Sequence, residues 1–82
     1  METAKKFTQE ELQQALLGLE SGKFGTVLRA KGIVADDEDG WLHFDYVPGE
    51  SSLRSGSAAV TGKLCVIGAE LDQFGIAKLF GV

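Results

Sequence analysis

Hydrophobic residues recur along the chain at two different periods, one helical and one extended. Between residues 9 and 21 they lie three or four positions apart, which is the spacing of one face of an α-helix. The preceding Thr8-Gln9-Glu10-Glu11 has the form of a capping box, and Gly22 offers a stop. We therefore predict a helix over residues 9–21, and a weaker one over residues 72–80, where three apolar residues share a face: Ile76, Leu79 and Phe80.

Alternating apolar and polar positions predict strands at residues 26–34, 41–47 and 63–67. The first two are joined by "ADDEDG", in which Asp39-Gly40 supplies turn chemistry for an antiparallel hairpin. The segment "ESSLRSGS" fits either an edge strand or an irregular loop. Pairing the strands as a meander predicts an α+β fold, an antiparallel sheet of three to four strands with two helices packed on one face.

Sorting the strand residues by parity separates two faces of this sheet. The even positions are almost all apolar and are expected to face the helices: Leu28, Ala30, Gly32, Val34, Leu42, Phe44, Tyr46, Leu64 and Val66. The odd positions mix charge, aromatic rings and a thiol, and we predict an interaction face among them: Arg29, Lys31, Trp41, His43, Asp45 and Lys63. Such a mixture is neither a fully solvated face nor a core.

Composition excludes several classes of function. The chain of 82 residues carries a net charge of −4, which argues against nucleic acid as the main partner. No apolar run is long enough to span a membrane, and the start "METAKKF" lacks the apolar segment of a signal peptide. We expect a cytoplasmic protein, and the single Cys65 fits a reducing compartment.

The chemistry of the odd-numbered face leaves three interpretations open. Arg29, Lys31 and Trp41 suit contact with another protein. His43 and Asp45, with Cys65 if its strand is adjacent and in register, suit a small metal-binding module. The two cations could instead only form cross-strand ion pairs with Asp45 or Glu50.

No arrangement typical of an enzyme stands out. The segment "GSAAVTGKL" departs from the phosphate-binding P-loop in its glycine spacing, in the missing hydroxyl residue and in the strand that follows it. No Ser/His/Asp set, pair of catalytic carboxylates or CxxC motif is present. We therefore expect no catalytic residue in this chain.

Several phrases taken together resemble a known family. "FGTVLRAKGIV", "WLHFDYVPGE" and "TGKLCVIGAELD" follow one another in order, and the most specific part is Arg29-Ala30-Lys31-Gly32. This ordered set resembles the C-terminal domain of CobW-type P-loop GTPases, a group associated with cobalamin synthesis and metal trafficking. The similarity extends from Phe7 to the end of the chain, so we expect one such domain over residues 7–82.

The resemblance implies a non-catalytic accessory domain that mediates interdomain or client-protein contacts in metal-cofactor delivery or cobalamin synthesis. The expected partner is a P-loop GTPase domain or a metalloprotein client. GTP and a divalent metal such as zinc or cobalt are implied for the full-length family, but this chain has neither a Walker A nor a CxCC motif. Residues 1–6 are too polar for the family's first strand, so we expect a disordered or expression-derived N-terminus and an unpaired sheet edge that permits self-association.

Overall fold

A computed structural model describes residues 1–82 as six strands and two helices. The first helix, α1, follows two short strands, and the second, α2, closes the chain. The bounds are β1 Glu2–Thr3, β2 Lys6–Phe7, α1 Gln9–Glu20, β3 Thr26–Asp36, β4 Trp41–Val47, β5 Glu50–Gly56, β6 Gly62–Ala69 and α2 Gln73–Phe80. The α+β class is confirmed, but six strands form the sheet where we predicted three to four.

Both helices begin and end where their capping residues require. The Thr8 hydroxyl accepts from the Glu11 amide at 3.0 Å, and the Glu11 carboxylate accepts from the Thr8 amide at 3.2 Å. These bonds satisfy amides that have no partner inside the helix. In α2 the Asp72 side chain accepts from the Gly75 amide, and Gly81 ends the helix with a positive φ of 74°. Neither helix has the length and apolar composition needed to cross a bilayer.

The strand order differs from the meander that we expected. The order is β1-β6-β3-β4-β5, so β6 pairs with β3 and not with β5. Composition explains the change. β5 is rich in serine and buries few side chains, so it lies at the edge of the sheet. β3 carries apolar residues over its length, and a paired strand on each side buries more of them. The ambiguous "ESSLRSGS" segment is thus an edge strand.

Residues 1–6 also differ from the expectation, because they join the sheet. Glu2 and Thr3 pair with Lys63 and Gly62, while β2 runs parallel to the end of β3. The Lys5 ammonium donates to the Phe80 carbonyl at 3.0 Å and forms an ion pair with Glu11 at 3.2 Å. The expectation of a disordered segment was wrong because main-chain hydrogen bonds and the Lys5 side chain hold these residues, and neither requires the segment to be apolar or buried.

One apolar core lies between the helices and the inner face of the sheet. It contains the helix residues at helical spacing and the predicted even-numbered strand residues from Ala30 onward. At the start of β3 the prediction was wrong: Val27 is 5% exposed, whereas Leu28 is 57% exposed. A β-bulge causes this, since the register shifts between Val27 and Arg29 and one extra residue reverses the two faces.

Gly32 permits a close approach on the inner face of the sheet. A Cβ at this position would lie 2.5 Å from the Phe44 ring and 2.7 Å from the Lys63 carbonyl oxygen. The Phe44 ring is itself stacked on Phe80, with 6.0 Å between ring centroids. The glycine of the "RAKG" segment therefore makes room for an aromatic pair that joins the sheet to α2.

Candidate functional site

The outer face of the sheet, on the side away from the helices, carries every residue of the predicted interaction face. The strand order places β6, β3, β4 and β5 side by side, and their outward residues form a continuous surface. Trp41, His43 and Asp45 are partly exposed, while Arg29, Lys31 and Lys63 are exposed. Apolar residues border them on the same side: Leu28, Ile33, Val47 and Ile67.

Two cross-strand rows organise this outer face. Lys31 lies in the first row, with Asp45 opposite it on β4 and Cys65 opposite it on β6. Ile33 lies in the second row, between His43 and Lys63. Because neighbouring strands are about 4.8 Å apart, the two flanking residues of each row are about 10 Å apart at their Cα atoms.

Arg29 and Asp45 form the ion pair of this face. Arg29 Nη2 lies 3.1 Å from Asp45 Oδ2, and donates a hydrogen bond to it. The Arg29 hydrogen bond holds the pKa of the Asp45 carboxyl below its ordinary value of 3.8, with a smaller contribution from the guanidinium charge. The cross-strand pairing that we considered for Arg29 is thus present, whereas Lys31 forms no ion pair.

His43 is held by the far end of β5. Its Nε2 lies 2.9 Å from the Ser57 carbonyl oxygen, and its ring lies against Gly56 so closely that a Cβ there would overlap it. A ring nitrogen that donates to a main-chain carbonyl has a fixed orientation. This contact directs His43 toward β5 and away from Cys65.

The structure does not bring the three predicted metal ligands together. β3 separates Cys65 from β4, Asp45 is bound by Arg29, and His43 is bound by the Ser57 carbonyl. No group of three or more His, Cys, Asp or Glu side chains in the chain has the geometry to hold a metal ion. Zinc sites in proteins need three or four converging ligands, so the donor set on this face does not fit a zinc or cobalt ion.

A shallow concavity of about 560 Å³ lies over both rows. Lys31, His43, Lys63 and Cys65 line it together with Arg54, which sequence reasoning missed. Arg54 lies opposite His43 on β5. The alternation of Ser52 and Arg54 with the half-buried Leu53 indicates a strand that directs Arg54 to the outer face. Leaving the segment open as a strand or a loop gave Arg54 no assigned face.

Charge is distributed unevenly between this face and the rest of the protein. The outer face carries five of the eight cations, Lys6, Arg29, Lys31, Arg54 and Lys63, and three of the twelve carboxylates, Glu2, Asp45 and Glu50. Three cations and nine carboxylates therefore remain elsewhere. Relative to the acidic body of the protein, the outer face is basic, with its carboxylates at the edges or already paired.

Comparison with known proteins identifies the family. The crystal structure of Zn(II)-bound YjiA GTPase from E. coli matches with a TM-score of 0.80 at 20% identity, over 98% of this chain and 27% of that one. No curated protein sequence matches significantly. The family model of the cobalamin synthesis protein CobW C-terminal domain matches residues 1–81, which confirms the resemblance seen in the sequence. The chain therefore belongs to the CobW C-terminal domain family.

Proposed function

We propose that this chain is a non-catalytic accessory domain whose outer sheet face contacts a P-loop GTPase domain of the CobW type. The observation that carries the proposal is the uncovered outer face itself. The helices cover one side of the sheet, and the other side exposes Trp41, apolar residues and cations that form no ion pair. Aromatic residues and arginine are the residue types enriched at protein interfaces.

The relation in length supports this choice of partner. The chain spans 27% of the YjiA GTPase, so a protein of that kind has a much larger part to which the domain can attach. We assign GTP hydrolysis to that larger part, because this chain has no Walker A motif. A metalloprotein client is the second partner that the same face would suit.

Metal delivery enters the proposal as work of the whole protein. The structure with which this fold matches is described as Zn(II)-bound, and zinc or cobalt is the cargo that we propose for the assembled system. His43 and Asp45 each have another partner in this chain. We therefore propose that the cargo is bound outside this domain and that the domain supplies a docking surface.

The arrangement of the outer face gives each residue a distinct part in docking. Asp45 fixes the Arg29 guanidinium, so that less side-chain freedom is lost when Arg29 meets a partner. Lys31 and Lys63 form no ion pair, and they are available to carboxylates of the partner. Trp41 presents an aromatic surface that is partly exposed before binding.

The test mixes the ¹⁵N-labelled chain with a CobW-type GTPase domain and follows the amide shifts. We expect shifts at Arg29, Lys31, Trp41 and Lys63, and a tenfold or greater loss of affinity in Lys31→Glu, an estimate of about 1.4 kcal/mol or more. Lys23→Glu is the matched control, because Lys23 is an exposed cation in the loop after α1. Shifts confined to the helices, or equal losses in both variants, would refute the proposal.

A further inference from the structure

The open edge of β5 carries main-chain groups that have no partner in this chain. β5 is the last strand of the sheet order and pairs only with β4. The chain enters β5 from β4 through the Pro48-Gly49 turn and leaves it through residues 57–61 toward β6, which lies beyond β4 and β3. Both connections thus lead away from the open edge, on which Ser51 and Ser55 are exposed.

The turn between β4 and β5 shows which main-chain groups face the open edge. It has two residues, and the residues on either side of it, Val47 and Glu50, are paired. In such a hairpin this first pair is hydrogen-bonded, and hydrogen-bonded pairs then alternate with pairs that are not. The N–H and C=O groups of Ser51, Leu53 and Ser55 therefore point away from β4. None of them takes part in the main-chain hydrogen bonds that lie outside the helices and strands.

The open edge lacks the features that normally prevent strand pairing. Protected edge strands carry lysine, proline, a bulge or a covering loop. Residues 50–56 contain neither lysine nor proline, and β4 and β5 pair without a register shift. The charged residues of β5 are Glu50 and Arg54, which lie on the outer face and form no ion pair within the chain. The edge is therefore regular and able to accept a further strand.

The charges of β5 are self-complementary about Ser52. Glu50 lies two positions before Ser52, and Arg54 lies two positions after it. When this strand pairs with a copy of itself, antiparallel and centred on Ser52, Glu50 of each copy lies directly opposite Arg54 of the other. A two-fold axis presents the same patch on both copies, so the contact forms twice. A second copy thus supplies each of these side chains with the opposite charge that its own chain does not provide.

We propose that β5 pairs with β5 of a second copy of this chain, antiparallel about a two-fold axis at Ser52. Ser51 of one copy then lies opposite Leu53 of the other on each side of the axis. Each of these pairs exchanges two main-chain hydrogen bonds, which gives about four across the interface. The two Ser52 residues form the central pair that is not hydrogen-bonded, with Cα atoms about 4.5 Å apart. The axis is perpendicular to the sheet, so the two sheets join into one and their outer faces stay uncovered.

The neighbouring registers are less favourable than the one centred on Ser52. A register centred on Ser51 needs the N–H group of Gly49, which already donates to the Glu20 carboxylate at 2.8 Å. A register centred on Leu53 adds one hydrogen-bonded pair, but it places the two Arg54 guanidinium groups at adjacent diagonal positions and sets no carboxylate directly opposite either of them. Charge pairing therefore selects the axis at Ser52.

Sedimentation equilibrium tests the association. We expect the apparent mass to rise with concentration from 8.7 kDa toward twice that value, with a dissociation constant between about 10 µM and 1 mM for so small an interface. Glu50→Arg and Arg54→Glu each set like charges opposite each other twice, and each should weaken association at least about tenfold. An equimolar mixture of the two variants restores opposite charges at both contacts and should associate as the wild type does. Lys23→Glu, a control with the same change of charge outside the sheet, should leave association unchanged.

Disulfide cross-linking tests the register independently. With Cys65→Ser removing the native thiol, Ser52→Cys is expected to form a disulfide-linked dimer under mild oxidation, because the Cα atoms of the central pair lie within bridging distance. Ser55→Cys, on the same strand but away from the axis, should not link to itself, and circular dichroism verifies that the variants fold. A wild type that stays monomeric at about 1 mM, equal weakening by the control variant, failure of the mixture to associate, or preferential linking through Leu53→Cys would each overturn the proposal.

Discussion

Replacing Gly32 with alanine tests the packing that joins the sheet to α2. The added methyl group would lie 2.7 Å from the Lys63 carbonyl oxygen and 2.5 Å from the Phe44 ring, and the ring has little freedom because it is stacked on Phe80. Overpacking of this kind costs about 1–3 kcal/mol. Alanine offsets about 0.5–1 kcal/mol of this, because its unfolded chain has less conformational freedom to lose than that of glycine. We expect a net loss of roughly 1–2 kcal/mol in the free energy of unfolding.

Urea and thermal unfolding measure this loss. A domain of this size should lose about 4–16 °C in Tm, with the urea m-value unchanged. Gly18→Ala is the matched control, since its new methyl group meets only the flexible end of Leu79, at 2.7 Å, and the helix gains propensity. We expect it to change stability by less than about 1 kcal/mol.

A double-mutant cycle assigns the cause. Phe44→Leu removes the ring that opposes the new methyl group, so Gly32→Ala should cost less in that background, with a coupling of about 0.5–3 kcal/mol. If Gly32→Ala is as stable as the wild type, or if Gly18→Ala loses as much, the close approach at Gly32 does not limit packing.

Three further predictions concern the chain ends, the acidic range and the metal. Lys5→Met should lower the free energy of unfolding, measured in urea, by about 1 kcal/mol, since the Phe80 carbonyl loses its donor. A chain of residues 7–82 should lose more. Equal stability of the wild type, Lys5→Met and the shortened chain would show that the Lys5 contacts do not stabilise the fold. The folded-state pKa values of the Asp45 and Glu11 carboxyls lie below their ordinary values of 3.8 and 4.5, so the stability that these groups contribute is present above those values and is lost as pH falls through the folded-state pKa values. Asp45→Asn should therefore make the free energy of unfolding fall less steeply at acidic pH. An unchanged acid dependence would exclude the Arg29 contact as its source. Zinc titration of wild type and His43→Ala should give equal, weak binding, and a site lost only in the variant would show that His43 is a ligand.

The local structure was predictable because local signals agreed with one another. The capping box at Thr8 and the apolar spacing in α1 both indicated the same start of the helix, and the structure places it at Gln9. The alternation of odd and even positions assigned the residues of β4 and β6 to the correct faces of the sheet, since neither strand contains a bulge. The helices and the inner face of the sheet thus followed from residues close in sequence.

What could not be predicted depends on contacts between distant parts of the chain. The bulge at Leu28 is visible only once β3 is paired with β6, and the position of β6 beside β3 depends on the whole sheet. The same holds for the outer face, where Arg54 joins His43 only through the pairing of β4 with β5. A polar N-terminus likewise gave no sign of its main-chain partners on β6.

The bond between Lys5 and the Phe80 carbonyl spans 75 positions of an 82-residue chain, and it has a consequence for synthesis. The inner face of the sheet needs Ile76 and Phe80 for its core, and these residues are synthesised after all six strands. Contacts between chain ends also slow folding, because a long loop must close before they form. A nascent chain therefore exposes its apolar sheet until residues 76–80 have emerged, so removal of the last turn of α2 should yield aggregation rather than a smaller folded domain.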